Sequence, residues 1–432
     1  LSKSIITEEP LHGCAFNGAV SMSIHIRDAV VLAHSPKSCT YISYQSITSP
    51  GRRSLFERGA LLPISISPNF ESTYMKEADM VFGGIELLMD KIREIKADSP
   101  KAIIVVSSCP SGIIGDDIDR VKSLADDNTP IITIKADGNI AGDYLQGMFM
   151  SYMTLAKSII KPDVEKVADT VNIVFEKIVA KNNNSNFETM ENYLNQMGIK
   201  VNCRFICETT YEKIENFLSA PINILGYDDY TGKVLKDFFQ KEYDCEFLDK
   251  PFPIGFDETK TWLESLGRVF HKEKEAEDII GDNERIYNEY IEELKPVLKG
   301  KRLFIITYNH DLDWILKTAS DIGVEIVKLG ILNYSQDIGF RTNLNLDLNV
   351  EENYNRENIE GDIKKYQPDI VLTNYVSSTY YGDYISDNIP MCPDTGFYSG
   401  LIMAQRWAKL ISLNIKGEWS NDERLFKKYY TG

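Results

Sequence analysis

The strongest constraint on how this 432-residue chain can fold is a unit that keeps recurring. It is a short β-branched apolar run, a turn marked by Gly or Pro, and then a segment with helical period. AIIVVSSC (102–109) is such a run, followed by CPSGIIGDDIDRVKSLADD, a Gly-bearing turn and a helix. PIITIKADG (130–138) is the next strand and YLQGMFMSYMTLAKSII (144–160) a strongly apolar helix. Continuous apolar runs of this length belong to strands covered on both faces, and their alternation with helices makes βαβ units and a parallel sheet.

The same unit starts the chain and restarts twice. IRDAVVLAHS (26–35) reads as a short helix running into a strand, SPGRRSLFERG (49–59) as a loop. In 78–100, Ile85, Leu88, Met89, Ile92 and Ile95 share one helical face. TVNIVFE (170–176) and APINILGY (220–227) are strands, and NFETMENYLNQMG (186–198) is a helix closed by Gly198. FDETKTWLESLGRVF (256–270) and the charged stretch 271–298 are helices. GKRLFIITYN (300–309), VEIVKLGIL and PDIVLTNY are strands of a third set, polar 343–358 is an excursion loop, and 396–414 is a long amphipathic helix. The expectation is an α/β chain of three Rossmann-like domains, 1–165, 166–298 and 299–395. The C-terminal helix and tail, 396–432, would pack back on the core. In such sheets ligands sit at the carboxyl ends of the strands. Cys14, Cys39, Cys109, Tyr227, Asn309, His310, Asn374 and Cys392 are placed at or after such ends, around a common cleft if the domains face one another.

The charge balance narrows the function. With 64 acidic residues against 47 basic ones, the net charge is −17, the opposite of a nucleic-acid binder's basic stripe. No run of about 18 apolar residues exists to span a membrane. LSKSIITEEP has no signal-peptide core, and the chain opens without an initiator methionine. Seven unevenly spread cysteines in a long chain point to reduced thiols and a cytoplasmic protein.

Three of those cysteines stand out. Cys14 lies in HGCAFNGA, Cys39 ends AHSPKSC, and Cys109 opens CPSGIIGDD. Each sits beside a Gly- or Pro-marked turn. Thiolate is the donor that iron–sulfur clusters use, and a helix N-terminus after Cys109 favours the thiolate. The separations are long, 25 and 70 residues, unlike a ferredoxin or zinc knuckle, so spacing alone leaves inert core thiols open. Cys203 and Cys207, four apart, and Cys245 read as buried thiols. Cys392 beside Met391 is a soft-ligand candidate. His310, between an apolar strand and Asp311, is a proton-donor candidate, with an Asp-rich helix start as the alternative. His12 and His34 flank cluster cysteines and could tune a cluster by hydrogen bonding.

Those motifs resemble component 1 of nitrogenase and its relatives, which include the catalytic subunits, the cofactor-assembly scaffold and the dark-operative protochlorophyllide reductases. GCAFNGA with IRDAVVLAHSPKSC is similar to GCAYAG…IKD…HGPxGC. DMVFGGIELLMDKIREI is similar to the DIVFGG segment and its helix, and SSCPSGIIGDDI to SxCPxGLIGDDI. PFPIGFDET, QPDIVLTN and GFYSG extend the resemblance along the chain. It implies three Rossmann-like domains around a cleft. It implies that Cys14, Cys39 and Cys109 hold half of an iron–sulfur cluster, 4Fe–4S or a P-cluster-like 8Fe–7S, at a two-fold subunit interface. A homologous or identical component 1 subunit would supply the other half, in a dimer or an α2β2 tetramer. Electrons would come from an ATP-dependent iron protein. No GxxxxGK[ST] pattern is present, in keeping with ATP being handled by that partner.

The sequence also departs from the catalytic subunits. Where they bind a metallocofactor through a Cys after a strand of the second domain, this chain has Tyr227. Where they use a His before the last helix, it has IPMCPDTGFYSG with Cys392, and AGDYLQGMFMSY lacks their His as well. Arg52 and Arg53 match the paired arginines that face the cofactor in alpha-type subunits, which keeps an anionic ligand or second metallocofactor in view. Three functions are in contention. The first is a subunit of a nitrogenase-like two-component reductase. The others are a metallocofactor-assembly scaffold and a beta-type structural partner with an empty cleft. Dinitrogen reduction itself is not supported by the rewritten ligand positions.

Overall fold

A computed structural model describes residues 13–57, 69–178, 180–333, 339–374, 384–413, 425–426 and 428–429, with the backbone alone at 49–57 and 139. The chain divides into two compact units, Leu1–Asn183 with Gly198–Leu248, and Asn184–Met197 with Asp249–Gly432.

The first unit opens with α1 (Ala15–Ser23), β1 (Ala29–His34), α2 (Lys37–Glu57), β2 (Phe70–Ser72), α3 (Glu77–Phe82), α4 (Ile85–Lys96), β3 (Ala102–Ser107), α5 (Cys109–Ile114), β4 (Ile131–Ile134) and α6 (Tyr144–Ile159). Its first sheet runs β2-β1-β3-β4, all parallel. Every residue of β3 is buried, as a strand covered on both faces requires. One face of α4 buries Leu88, Ile92 and Ile95.

A second parallel sheet follows, from β5 (Thr170–Val174), β6 (Lys200–Phe205), β7 (Ile222–Leu225) and β8 (Glu246–Phe247), in the order β6-β5-β7-β8. The helix between β5 and β6, α7 (Asn183–Gln196), belongs to the second unit from Asn184 onward. Helices α8 (Tyr211–Glu215) and α9 (Tyr230–Tyr243) complete this part. The interior of the second sheet is not wholly apolar. Asn202 Nδ2 donates to Asn172 Oδ1, and Asn172 Nδ2 donates to Asn223 Oδ1, each at 2.9 Å. Buried amides stay only where paired, so this row fixes the strands' order.

The second unit holds α10 (Phe256–Phe270), α11 (Glu273–Leu298), β9 (Arg302–Thr307), α12 (Asp313–Ile322), β10 (Glu325–Ile331), β11 (Val350–Glu352), α13 (Ile359–Tyr366), β12 (Ile370–Thr373), β13 (Ile385–Asn388) and α14 (Ser399–Leu413). Its sheet is parallel in the order β11-β10-β9-β12-β13. Helix α7 is fastened here late in the chain. Asn186 Nδ2 donates to the Pro393 carbonyl at 3.1 Å, Asn186 Oδ1 accepts the Thr395 amide at 3.1 Å, and Tyr193 meets Phe397 edge-on.

The α/β architecture with parallel sheets is as the sequence predicts, and the local differences are instructive. Ile26 makes an isolated parallel bridge with Thr209 and residues 27 and 28 form a turn, with the helix lying earlier as α1. Where 49–59 predicts a loop, α2 continues through Pro50 and Gly51 to Glu57. Proline's fixed φ suits a helix and forfeits one hydrogen bond, so composition alone overstated the break. The helix of 78–100 is two, split where Gly83 takes φ +102. Cys109 itself begins a helix, and the excursion at 343–358 contributes edge strand β11.

Candidate metal centre

Each of the three cysteines lies at the start of a helix or in its first turn. Cys14 is the N-cap residue of α1, in an antiparallel bridge with Asp143, and the Ala15 amide donates to the Gly142 carbonyl at 3.0 Å. Its place is set by a backbone-to-backbone crossing of α1 and α6. A Cβ at Gly18 would lie 2.0 Å from the Tyr144 oxygen, and one at Gly147 would lie 1.8 Å from the Ala15 oxygen. Only glycine permits this approach.

Cys39 is the third residue of α2, just beyond the end of β1. A chain of hydroxyls holds that turn: Ser35 Oγ meets Thr40 Oγ1 at 2.8 Å, and Thr40 Oγ1 meets Ser72 Oγ at 2.7 Å. Cys109 is the first residue of α5, beyond the end of β3. Both the amide and the hydroxyl of Ser108 donate to the His34 carbonyl, at 3.2 and 2.9 Å. Gly138 closes over the thiol, for a Cβ there would lie 1.9 Å from Cys109 Sγ.

The three thiols share one locality. Burial pushes the Cys39 thiol up from its ordinary pKa, the Cys14 thiol pushes it further, and Cys109 adds to the same effect. Helix N-termini stabilise thiolate, but at Cys39 desolvation and its like-charged neighbours outweigh that. All three are partly exposed, and no disulfide joins any of the seven cysteines. Among the described residues no three His, Cys, Asp or Glu side chains converge on a single metal ion. The thiolate chemistry and mutual repulsion of the three cysteines fit a multi-iron cluster, whose positive charge would relieve that repulsion.

The model of the nitrogenase component 1 type oxidoreductases matches residues 14–412. The chain belongs to this family. Among similar component 1 sequences, the nitrogenase molybdenum-iron protein alpha chain of Methanothermobacter thermautotrophicus is 25% identical over 378 residues, 84% of this chain and 78% of that one. The nitrogenase iron-molybdenum cofactor biosynthesis protein NifE of Clostridium pasteurianum is 27% identical over 335 residues, 75% of this chain and 69% of that one. The solved structure of nitrogenase Cp1 at pH 6.5 superposes with a TM-score of 0.66 at 20% identity, covering 95% of this chain and 90% of that chain. That likeness establishes the component 1 fold.

The other predicted site residues fall in separate places. Tyr227, after β7 in the first unit, has the Lys177 ammonium 4.8 Å from its ring centroid, and Lys177 Nζ also meets Asp229 Oδ2 at 2.8 Å. Asp229 caps α9 by accepting the Gly232 amide. Cys392 and His310 are partly buried in the second unit, His310 three residues beyond Thr307 at the end of β9. Next to Cys392, Met391 is exposed and its sulfur accepts a hydrogen bond from Asn374 at 3.0 Å. Arg52 and Arg53 lie in α2, and their side chains are outside the described part, as is His12. His34 does not hydrogen-bond a cysteine, because both ring nitrogens are engaged by Asp116 and Thr73. Cys203 and Cys207 are buried and Cys245 is half-buried. Cys207 lies past the end of β6, where Ile206 takes φ +54. Its sulfur accepts N–H bonds from Arg204 at 3.2 Å and Asn183 at 3.4 Å. Sequence reasoning missed Gly138, Asp116 and Lys177. The only available signals were the DG and GDD turns and a lone lysine after a strand.

Proposed function

We propose that this component 1 chain is a subunit of a nitrogenase-like two-component reductase. Cys14, Cys39 and Cys109 hold its half of an iron–sulfur cluster, completed by a homologous or identical subunit. The observation that carries the assignment is that the β1–β3 pairing and the glycine-lined crossing of α1 and α6 bring three thiols, distant in sequence and each at or in the first turn of a helix, into one locality. When bound, such a cluster supplies one-electron transfer. The chain's own residues fix the thiolates and keep the site partly dry.

An exposed apolar surface lies beside them. Val81, Phe82 and Ile113 are 69%, 88% and 74% exposed, on α3 and α5, and Cys109 begins α5. Large apolar side chains held out in water mark a protein contact. An ATP-dependent iron protein docking there would be set beside a cluster ligand. Reduced thiols and the absence of any membrane-spanning helix among the described residues suit a cytoplasmic setting.

A second metallocofactor does not fit at Tyr227. Its ring faces an ammonium already engaged by a carboxylate, a poor donor set for a soft metal centre. That observation, with the cofactor-biosynthesis relative at similar identity, favours an assembly scaffold as the second reading. Anaerobic co-purification with the partner subunit, iron analysis and EPR test the assignment. The expected result is a cluster signal abolished by Cys109→Ala. A complex carrying no iron, with Cys109→Ala indistinguishable from wild type, would refute it. Metal beyond the shared cluster, released intact to an acceptor protein, would select the scaffold.

A further inference from the structure

His34 ends β1 and is wholly buried, and the groups it holds, Thr73, Ser108 and Asp116, belong to three separate segments. Its Nε2 meets Asp116 Oδ2 at 3.0 Å, and its Nδ1 meets Thr73 Oγ1 at 3.2 Å. Burial lowers its pKa against the opposing pull of Asp116, which favours the neutral ring. A carboxylate can only accept, so in that form the proton sits on Nε2 and Nδ1 faces the Thr73 hydroxyl as an acceptor. Asp116 takes a second donor, the Gly84 amide, at 3.1 Å to Oδ1 and 3.0 Å to Oδ2. Gly84 is two residues from the exposed Phe82, and Asp116 three from the exposed Ile113. On its other side the His34 carbonyl holds Ser108, the residue before Cys109, and the chain from His34 turns within five residues into Cys39. The contact between ring and turn is tight. A Cβ on Gly84 would lie 2.9 Å from Met75 Cε, 3.0 Å from His34 Cε1 and 3.1 Å from Asp116 Oδ2.

We propose that His34 is a positioning residue that joins the apolar partner-facing turns at Phe82–Gly84 and Ile113–Asp116 to the thiol-bearing helix starts at Cys39 and Cys109. Pressure on those turns moves Gly84 and Asp116, and Asp116 and the imidazole share a hydrogen bond inside a close-packed wall. The ring cannot yield alone, because its own backbone anchors Ser108 and leads into α2. Docking of an electron donor is thereby felt at two of the three thiolates. This rests on the assignment of the cysteines and the patch made above. A buried partner that orients a ligand-bearing segment is a recognised means of tuning metal sites, and here the same group also reaches the surface.

The test uses the full chain with its partner subunit. Gly84→Ala requires no backbone change, since Gly84 has φ −109, and pushes directly on His34. Asp116→Asn alters the hydrogen bond at constant size. His34→Gln keeps a donor at the Nε2 position. Hydrogen exchange is followed at 83–88, 35–41 and 107–112, normalised to the amides of β3, together with the cluster's midpoint potential by EPR titration. Gly84→Ala and Asp116→Asn are expected to speed exchange at least ten-fold in both thiol-bearing segments as well as at 83–88, and to shift the potential. His34→Gln is expected to stay within about two-fold of wild type. Faster exchange confined to 83–88, with an unchanged potential, overturns the coupling. Loss of protection throughout the first sheet in all three variants also overturns it, since His34 would then be core packing only. A wild-type complex without iron refutes the cluster assignment instead, and the exchange comparison still decides the coupling.

Discussion

Gly147→Ala separates two opposite expectations. Gly147 is a helical residue of α6, and an alanine there gains about 1 kcal/mol of helix propensity. Judged on α6 alone, the variant should be more stable. The crossing with α1 says otherwise. The new Cβ would lie 1.8 Å from the Ala15 carbonyl oxygen and 2.5 Å from its carbon. Non-bonded heavy atoms need about 3.5 Å, so the helices must part by about 1.7 Å. Both contacting groups are backbone, so no rotamer change relieves the overlap, and the cost falls at the top of the usual overpacking range, about 3 kcal/mol. The net loss is about 2 kcal/mol. With a urea slope of about 2 kcal/mol/M, the midpoint of the first unit falls by about 1 M. All four tryptophans lie beyond residue 249, so fluorescence follows the second unit. The first unit must be read by hydrogen exchange in β3. Cys14, which caps α1, is expected to alkylate faster in the metal-free variant. An unchanged or raised midpoint would refute the claim that this crossing fixes the first thiol.

Gly138→Ala adds a Cβ 1.9 Å from Cys109 Sγ at a residue with φ +58; iron per complex is expected to fall by more than half while circular dichroism is retained, and full iron would show that Gly138 does not shape the site. Burial lowers the His25 pKa to about 4, from 6.5. A depressed histidine contributes stability that is complete above pH 6.5 and lost as pH falls toward 4, up to about 3 kcal/mol. Hydrogen exchange in β1 and β3 should accelerate over that window in wild type and less in His25→Gln. Burial and then Asp311 push Glu258 up to about 8, from 4.5. This contribution has the opposite sign, complete below pH 4.5 and lost as pH rises through 8. Tryptophan-monitored melting of the second unit should therefore weaken toward alkaline pH, and Glu258→Gln should flatten the slope.

The β-branched runs made the sheets legible, because a strand buried on both faces leaves a mark in its own sequence. The coming together of the thiols left none. Cys39 and Cys109 are 70 residues apart, yet β1 and β3 pair directly, with His34 opposite Ser107. Strand order, not spacing, brings them together, and motif resemblance alone reported it. Cys14 was harder still, since its place depends on two glycines, Gly18 and Gly147, on different helices. The His34–Asp116 pair, 82 residues apart, is likewise a product of tertiary structure. Where composition misled, as at Pro50 and Gly51, a local preference of a few kcal/mol against helix did not end α2.

Helix α7 is made long before the body it belongs to. It leaves the ribosome as part of a stretch otherwise committed to the first unit, yet Asn186 closes on Pro393, 207 residues later. At about 5–20 residues per second that interval is roughly 10–40 s. Through it Asn186 and Tyr193 wait without their late partners, on a helix whose Phe187, Met190, Tyr193, Leu194 and Met197 are all buried in the finished protein. Nascent chains ending before residue 390 should therefore recruit holdase chaperones in a way that chains ending at residue 180 do not, and replacing Met190 and Leu194 with polar residues should remove the difference.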